Sequence, residues 1–200
     1  MSIFLIRHGQ TNGNRDRMVQ TPDTPLSELG HQQAKQLAHT FLNIAIQNII
    51  CSDYIRTQQT AAPLRALKQS TFTLQPLLRE RNFGDLRGQA YDDIGTDFFA
   101  EGYAPPNGET HQQFVHRVNL AWELVLSTYH NTQGSLIVMT HGLVLREIIK
   151  QHLIIEECVS PLSDFQNTCI TEVSGTDKKT VLRLCDAKHL DTQSAVGAAV

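Results

Sequence analysis

A short apolar run, Ile3 to Ile6, ends abruptly in Arg7-His8-Gly9. A guanidinium presents a planar fork that matches phosphate oxygens. An imidazole acts as a nucleophile when one ring nitrogen is free and the other is held by an acceptor. A glycine lets the backbone approach a ligand closely. A second apolar run, Ser135 to Thr140, ends in His141-Gly142 at a helix start. The backbone N–H groups there favour an anion, and His141 is suited to donate to an oxyanion. Arg56 follows Ser52-Asp53 just beyond a third apolar run and adds a second fork for the oxygens of a transferring phosphoryl group. Glu80, between Arg79 and Arg81, is a candidate acid for a leaving oxygen.

Each of these signals has an ordinary reading when taken alone. Arg7-His8-Gly9 reads equally well as a solvated loop, and His141 as a satisfied core histidine. Arg56 reads as a helix-start arginine facing water, and Glu80 as one member of a surface ion-pair run. Their common position after strand ends is what gives them weight, because ligands of open α/β sheets bind beyond the carboxyl ends of the strands.

The pattern of elements supports such a sheet. Strands are expected at Ile3–Ile6, Asn48–Cys51, Phe72–Leu74, Ser135–Thr140, Cys169–Val173 and Val181–Leu184. Ser27 is an N-cap candidate for a helix running to about Ile46, with Leu29, Ala34, Leu37, Ala38, Phe41 and Leu42 on one face. Further helices are expected over Arg56–Lys68, Glu109–Tyr129 and Leu143–Leu153. Pro63 should kink or split the first of these, whose inward face is read as Ala61, Ala62, Leu64 and Leu67. Arg7 to Pro25 reads as loop. Pro76 to Gly108 reads as a small irregular cap, and Gly175-Thr176-Asp177 as a hairpin turn. Alternating strands and helices predict a three-layer α/β/α sandwich with a largely parallel central sheet. The domain is expected over 1–186 with its cap at about 76–108, and 187–200 as a frayed tail.

Bulk properties narrow the class. The 200 residues are 40% hydrophobic and 18% charged, with a formal net charge of -3. That balance suits one globular domain and does not call for nucleic acid or an anionic membrane. The apolar start is too short for a signal peptide or a membrane span. Cys51, Cys158, Cys169 and Cys185 form no CxxC pair, which fits a reducing compartment, and the expected location is cytoplasmic. Nine histidines raise a metal-hydrolase reading, but there is no HExxH, and His111 and His116 are too far apart to share a helix face. No cofactor or metal is expected.

Together, Arg7-His8-Gly9 through Asn14, then Arg56, Glu80 and Thr140-His141-Gly142, resemble the histidine phosphatase superfamily, the phosphoglycerate-mutase-like family, over about Ile3 to Val173. The resemblance implies that His8 is the phosphorylated nucleophile, attacking through Nε2. It implies that Arg7, Arg56 and His141 bind the phosphate, that Asn14 adds a further contact, and that Glu80 protonates the leaving group and then activates water. Gln20, Thr21 and Gly142 fall among the implied substrate contacts. Gly108-Glu109-Thr110 resembles the motif opening the family's long helix. Two positions depart from the pattern. Arg87 stands where glutamate is frequent, and Thr21 near a common glycine; both are expected to lie off the catalytic core and to affect substrate choice.

The segment Gln89–Gln113 separates the activities within this resemblance. It contains no lysine or arginine, but carries Asp92, Asp93, Asp97, Glu101 and Glu109. A mutase must hold a substrate with a carboxylate and two phosphates in alternate orientations, which calls for extra cations over the site. The family's mutases carry a longer, basic insertion there, so the expectation is a hydrolase of a small phosphorylated metabolite. Tyr91, Phe98, Phe99 and Tyr103 read as cap packing or as a lip for the leaving group. A phosphoglycerate-type mutase and a non-catalytic phosphate-binding module are the alternatives, and the oligomeric state stays open, a homodimer included. Phosphohistidine chemistry predicts that turnover of an aryl phosphate persists in EDTA; loss of turnover on chelation would restore the metal reading.

Overall fold

The computed structural model describes residues 1–156, 165–174 and 179–191. Its strands are β1 (Ile3–Arg7), β2 (Ile46–Cys51), β3 (Thr71–Leu74), β4 (Ser135–Thr140), β5 (Ile170–Ser174) and β6 (Thr180–Asp186). Its helices are α1 (Asn12–Arg15), α2 (Glu28–Thr40), α3 (Ile55–Leu67), α4 (His111–His130) and α5 (Gly142–His152). The strands form one sheet in the order β3-β2-β4-β1-β5-β6. The four strands from β3 to β1 run parallel, while β5 and β6 are antiparallel to their neighbours. This is the expected α/β architecture.

Alternation along the central strands builds the three layers. Ile3 and Leu5 of β1, with Leu136 and Val138 of β4, pack against Phe114, Val118, Trp122 and Val125 of α4 and Val144, Leu145 and Ile148 of α5. Phe4 and Ile6, with Ile137 and Met139, face the other way onto Leu37 and Phe41 beside α2 and Ala61 and Leu64 of α3. A strand buried on both faces is apolar throughout, which is why β1 and β4 read as unbroken hydrophobic runs. A third cluster, Val19, Phe83, Leu86 and Phe98 with Tyr91, Phe99 and Tyr103, forms the cap. Short 3₁₀ turns at Pro76–Leu78, Gly84–Leu86 and Tyr91–Asp93 carry the chain through this region. No helix among the described residues is long and apolar enough to cross a membrane.

Several boundaries differ from expectation. The Ser27 cap is present, its side chain accepting from the Gly30 amide, but α2 stops at Thr40 rather than near Ile46. Phe41 is buried, Leu42 is exposed, and Ile46 already belongs to β2. No glycine or proline marks that turn, so apolar periodicity runs on past the end of the helix. Pro63 does not split α3, which is continuous from Ile55 to Leu67. The proline lies four residues before the helix end, so it removes one hydrogen bond close to a terminus. Ala62 and Leu67, read as inward, are exposed. The loop after β1 contains the four-residue helix α1, opened by a capping box between Thr11 and Asn14. Residues 187–191, expected to fray, are tied down by hydrogen bonds between His189 and Thr168 and between Gln36 and Asp191. The turn expected at 175–177, the tail from 192 onward and Cys158 lie outside the described residues.

One close crossing sets the path of the chain after β1. Gln10 N–H donates to Gln33 Oε1 of α2 at 2.8 Å, and Ser27 N–H donates to the Gln10 carbonyl at 2.8 Å. A side chain at Gly30 would bring its Cβ within 2.0 Å of that carbonyl oxygen, so α2 can lie here only because residue 30 has no Cβ. Gly30→Ala is expected to destabilise the fold by ~2–3 kcal/mol through overpacking against backbone, measured as a lowered urea midpoint.

Candidate active site

The parallel register of β1 and β4 pairs Arg7 with Thr140, so both strands end at one level. His8 and His141 follow immediately and lie side by side, with ring centroids 5.2 Å apart. His8 N–H donates to the Thr140 carbonyl at 3.0 Å, which locks the two strand ends together. The neighbouring strand β2 leads through Ser52 to α3, whose first turn carries Arg56. Arg7, His8, Asn14, Gln20, Arg56 and Glu80 all line one cavity, and its outer wall includes Tyr91, Phe98 and Phe99 of the cap.

The orientation of His8 is decided by its own backbone. Nδ1 lies 2.7 Å from the Gly9 carbonyl oxygen, which can only accept. The ring proton therefore sits on Nδ1, and Nε2 keeps a free lone pair. The loop itself is held by Asn167, whose Nδ2 donates to the His8 carbonyl at 3.0 Å and to Asn14 Oδ1 at 3.3 Å. Burial, with Arg56 and Arg7 close by, holds the His8 pKa well below the usual histidine range. Burial followed by Arg56 does the same for His141. Both imidazoles are neutral near pH 7.

His141 Nε2 lies 2.9 Å from Ser52 Oγ. With the serine hydroxyl as donor, the His141 proton resides on Nδ1, and that buried nitrogen has no hydrogen-bond partner in the structure. Arg7 donates through Nη1 to the Phe165 carbonyl, and Arg56 through Nη1 to the Thr21 carbonyl at 2.9 Å. The Nε atoms of both arginines are buried without partners. Burial lowers the pKa of Arg7, and that of Arg56 to about 10, which leaves both charged at neutral pH. Arg7, His8 and Arg56 thus line the cavity together, and the two guanidinium groups each keep a buried nitrogen without a partner; His141 is fully buried beside His8 and is not itself among the lining residues.

Glu80 sits at the cavity wall. Its Oε1 accepts from the Arg81 amide at 3.0 Å and its Oε2 from the Leu143 amide at 3.2 Å, so the carboxylate occupies the amino end of α5. Neither flanking arginine side chain pairs with it, although Arg81 lines the same cavity. Arg79 makes a two-bond pair with Asp53, and Arg81 donates to the Tyr103 carbonyl at 2.6 Å. The segment around Glu80 is pinned to α4 by Arg117, which pairs with Glu109 and donates to the carbonyls of Leu77, Arg79 and Glu80. This accounts for the Gly108-Glu109-Thr110 motif: Thr110 caps α4, and Glu109 holds the arginine that fixes the backbone of Glu80.

A family model described as histidine phosphatase superfamily (branch 1) matches residues 3–187. The chain belongs to the histidine phosphatase superfamily. A Schizosaccharomyces pombe protein with a phosphatase name is 31% identical over 96% of this chain and 97% of its own. A protein of Enterobacter named a phosphoglycerate mutase, GpmB, is 32% identical over 72% of this chain and 71% of its own. The solved structure of an Escherichia coli protein titled an α-ribazole-5'-phosphate phosphatase superposes with a TM-score of 0.77 at 25% identity, covering 93% of this chain and 96% of that one. Phosphatase and mutase names both occur among relatives of this superfamily member, and both describe enzymes acting on phosphate esters.

Not every residue suggested by the sequence reaches the cavity. Thr21 does not line it; its carbonyl supports Arg56 and its hydroxyl bonds Asp23 and Thr24. Gly142 packs beside the Arg7 guanidinium, where a Cβ would lie 3.6 Å from Nε. Arg87, expected off the catalytic core, lines the cavity and corrects that expectation. Sequence reasoning missed Ser52 and Asn167 as site residues. Ser52 was findable by its place directly after a strand, as were the histidines; Asn167 has no local signal, because a fold-back of distant chain brings it under His8.

The neutral, buried histidines link stability to pH. Their folded pKa values lie below the unfolded value of 6.5, so only the unfolded chain takes up protons as the pH falls below 6.5. Stability present above that pH is lost below it, at about 1.4 kcal/mol per pH unit for each histidine. Urea unfolding at pH 7.5 and 5.5 should show this loss, and His8→Gln should reduce it by the share of one proton.

Proposed function

We propose that the protein is a phosphatase that hydrolyses a small phosphate monoester through a covalent phosphohistidine on His8. One observation carries this reading: the Nδ1–H of His8 is committed to the Gly9 carbonyl, which leaves the Nε2 lone pair available on a ring that lines one cavity with two buried guanidinium groups. A histidine kept merely for packing has no need of two buried cations beside it that form no ion pair among the described residues.

The chemistry follows from these positions. Nε2 of His8 attacks phosphorus in line, the P–O bond to the leaving group breaks, and Glu80 gives its proton to the departing oxygen. Arg7, Arg56 and the Nδ1–H of His141 bear on the equatorial oxygens, where charge must be stabilised in a dry site. Asn14 and Gln20 complete the wall on the side of α1. Water then attacks the phosphohistidine, with Glu80 as base, and phosphate leaves. With its hydroxyl donating to Nε2, Ser52 would hold the His141 proton on Nδ1 and so act as a positioning residue. The acidic, lysine- and arginine-free segment Gln89–Gln113 favours water over a second phosphorylated acceptor and hence hydrolysis over mutase activity.

Rapid quenching during turnover of a ³²P-labelled aryl phosphate should trap an acid-labile phosphoenzyme, and His8→Ala should lack both the label and turnover. Near-normal rates in His8→Ala would overturn the assignment. Glu80→Gln should lower kcat by about 10²–10⁴-fold while inorganic phosphate still binds. Given 3-phosphoglycerate and its bisphosphate primer, the protein should release phosphate faster than it isomerises the substrate.

A further inference from the structure

Tyr54, Glu80 and Arg87 belong to two cavities at once. They line the cavity that holds His8 and also a second, wider cavity outside it. Glu80, the proposed acid, stands in the shared wall. The leaving oxygen must lie opposite Nε2 of His8 and beside Glu80, so whatever it is attached to extends toward this second space.

The charges lining the second cavity are almost all matched. Asp53 is held by Arg79 through two hydrogen bonds, and Glu109 by Arg117 in the same manner. Glu80 accepts two backbone amides. Arg87 differs. Its Nη2 donates to the Tyr54 phenol oxygen at 3.0 Å, and no carboxylate among the described residues forms an ion pair with it. Its position is fixed by the 3₁₀ turn Gly84–Leu86, which it terminates. Tyr54, which it touches, lies in turn under the guanidinium of Arg56. A cation oriented by a buried phenol, facing an open cavity and lacking a counter-ion, is arranged to receive an anion from outside the protein.

Building on the phosphatase reading, we propose that Arg87 binds a second anionic group on the leaving-group side of the substrate. The preferred substrates are phosphate monoesters whose alcohol itself carries a carboxylate or another phosphate. The phosphoryl group enters the inner cavity, the alcohol lies across Glu80, and its anionic group rests on Arg87 in the outer one. This adds one cation on the leaving-group side. The acidic segment Gln89–Gln113 supplies none, so the site recognises a charged alcohol without holding two interchangeable phosphates.

The test is a ratio of specificities. Phenyl phosphate, 3-carboxyphenyl phosphate and benzene-1,3-diyl bisphosphate are compared by kcat/KM for phosphate release at fixed ionic strength. The native protein should prefer one or both charged esters over phenyl phosphate by at least about tenfold, the scale of one charge-assisted contact. Arg87→Met should reduce that preference about tenfold, and Arg87→Lys should keep part of it. Whichever charged ester loses its advantage identifies carboxylate or phosphate as the group bound. Leaving-group reactivity cancels in the comparison between native protein and variant. A native protein without the preference, or one whose preference survives in Arg87→Met, would overturn the role of Arg87 even though phosphate is released. Release from none of the three esters would end the phosphatase reading itself.

Discussion

Two guanidinium groups lie buried at the carboxyl ends of the central strands with no carboxylate in ion-pair contact among the described residues. Arg7 is 1% exposed and Arg56 2%. Removing such charges from water costs several kcal/mol each unless something replaces the solvent. Here the replacement is partial. Carbonyls of Phe165 and Thr21 accept one nitrogen from each, while the Nε atoms stay without partners. The same positive field, added to burial, keeps both histidines neutral. A site built this way suits an anion, and the imidazole proposed as nucleophile is neutral near pH 7.

Much of the remaining structure exists to hold that arrangement. The β1–β4 register sets the two imidazoles level, Asn167 supports the loop carrying His8, and Ser52 orients His141. On the far side of the cavity the Arg117–Glu109 pair fixes the backbone on which Glu80 stands. The aromatic cap closes the wall with edge-to-face ring contacts between Phe83, Phe98 and Tyr91. Tyr91, Phe98 and Phe99 pack together in the cap and also line the cavity that holds His8. The outer cavity inherits its charge balance from the same elements: two of its arginines neutralise carboxylates that the fold needs, leaving Arg87 as the one with no such task.

Legibility in the sequence followed the physics of each signal. The central strands were readable because burial on both faces demands continuous apolar runs, and Ile3–Ile6 and Ser135–Thr140 have them. The Ser27 cap was readable because capping is local chemistry. The end of α2, the continuity of α3 through Pro63 and the short helix after β1 were not. Apolar periodicity continues past Thr40, propensity argues against a mid-helix proline, and the polar loop gave no periodic pattern over four residues.

The same division holds for the site. Sequence alone determined the chemical inventory: two histidines, two arginines and a glutamate, each placed after a strand or in a connecting segment, and an acidic segment Gln89–Gln113 without lysine or arginine. Such facts depend on residue type and on neighbours a few positions away. Only the tertiary structure decided that Asn167 supports the loop carrying His8, that Ser52 meets the His141 ring, and that Arg87 lines a cavity. Those outcomes depend on contacts between residues as far apart as His8 and Asn167, and no local pattern encodes the direction of a hydrogen bond made across the whole fold.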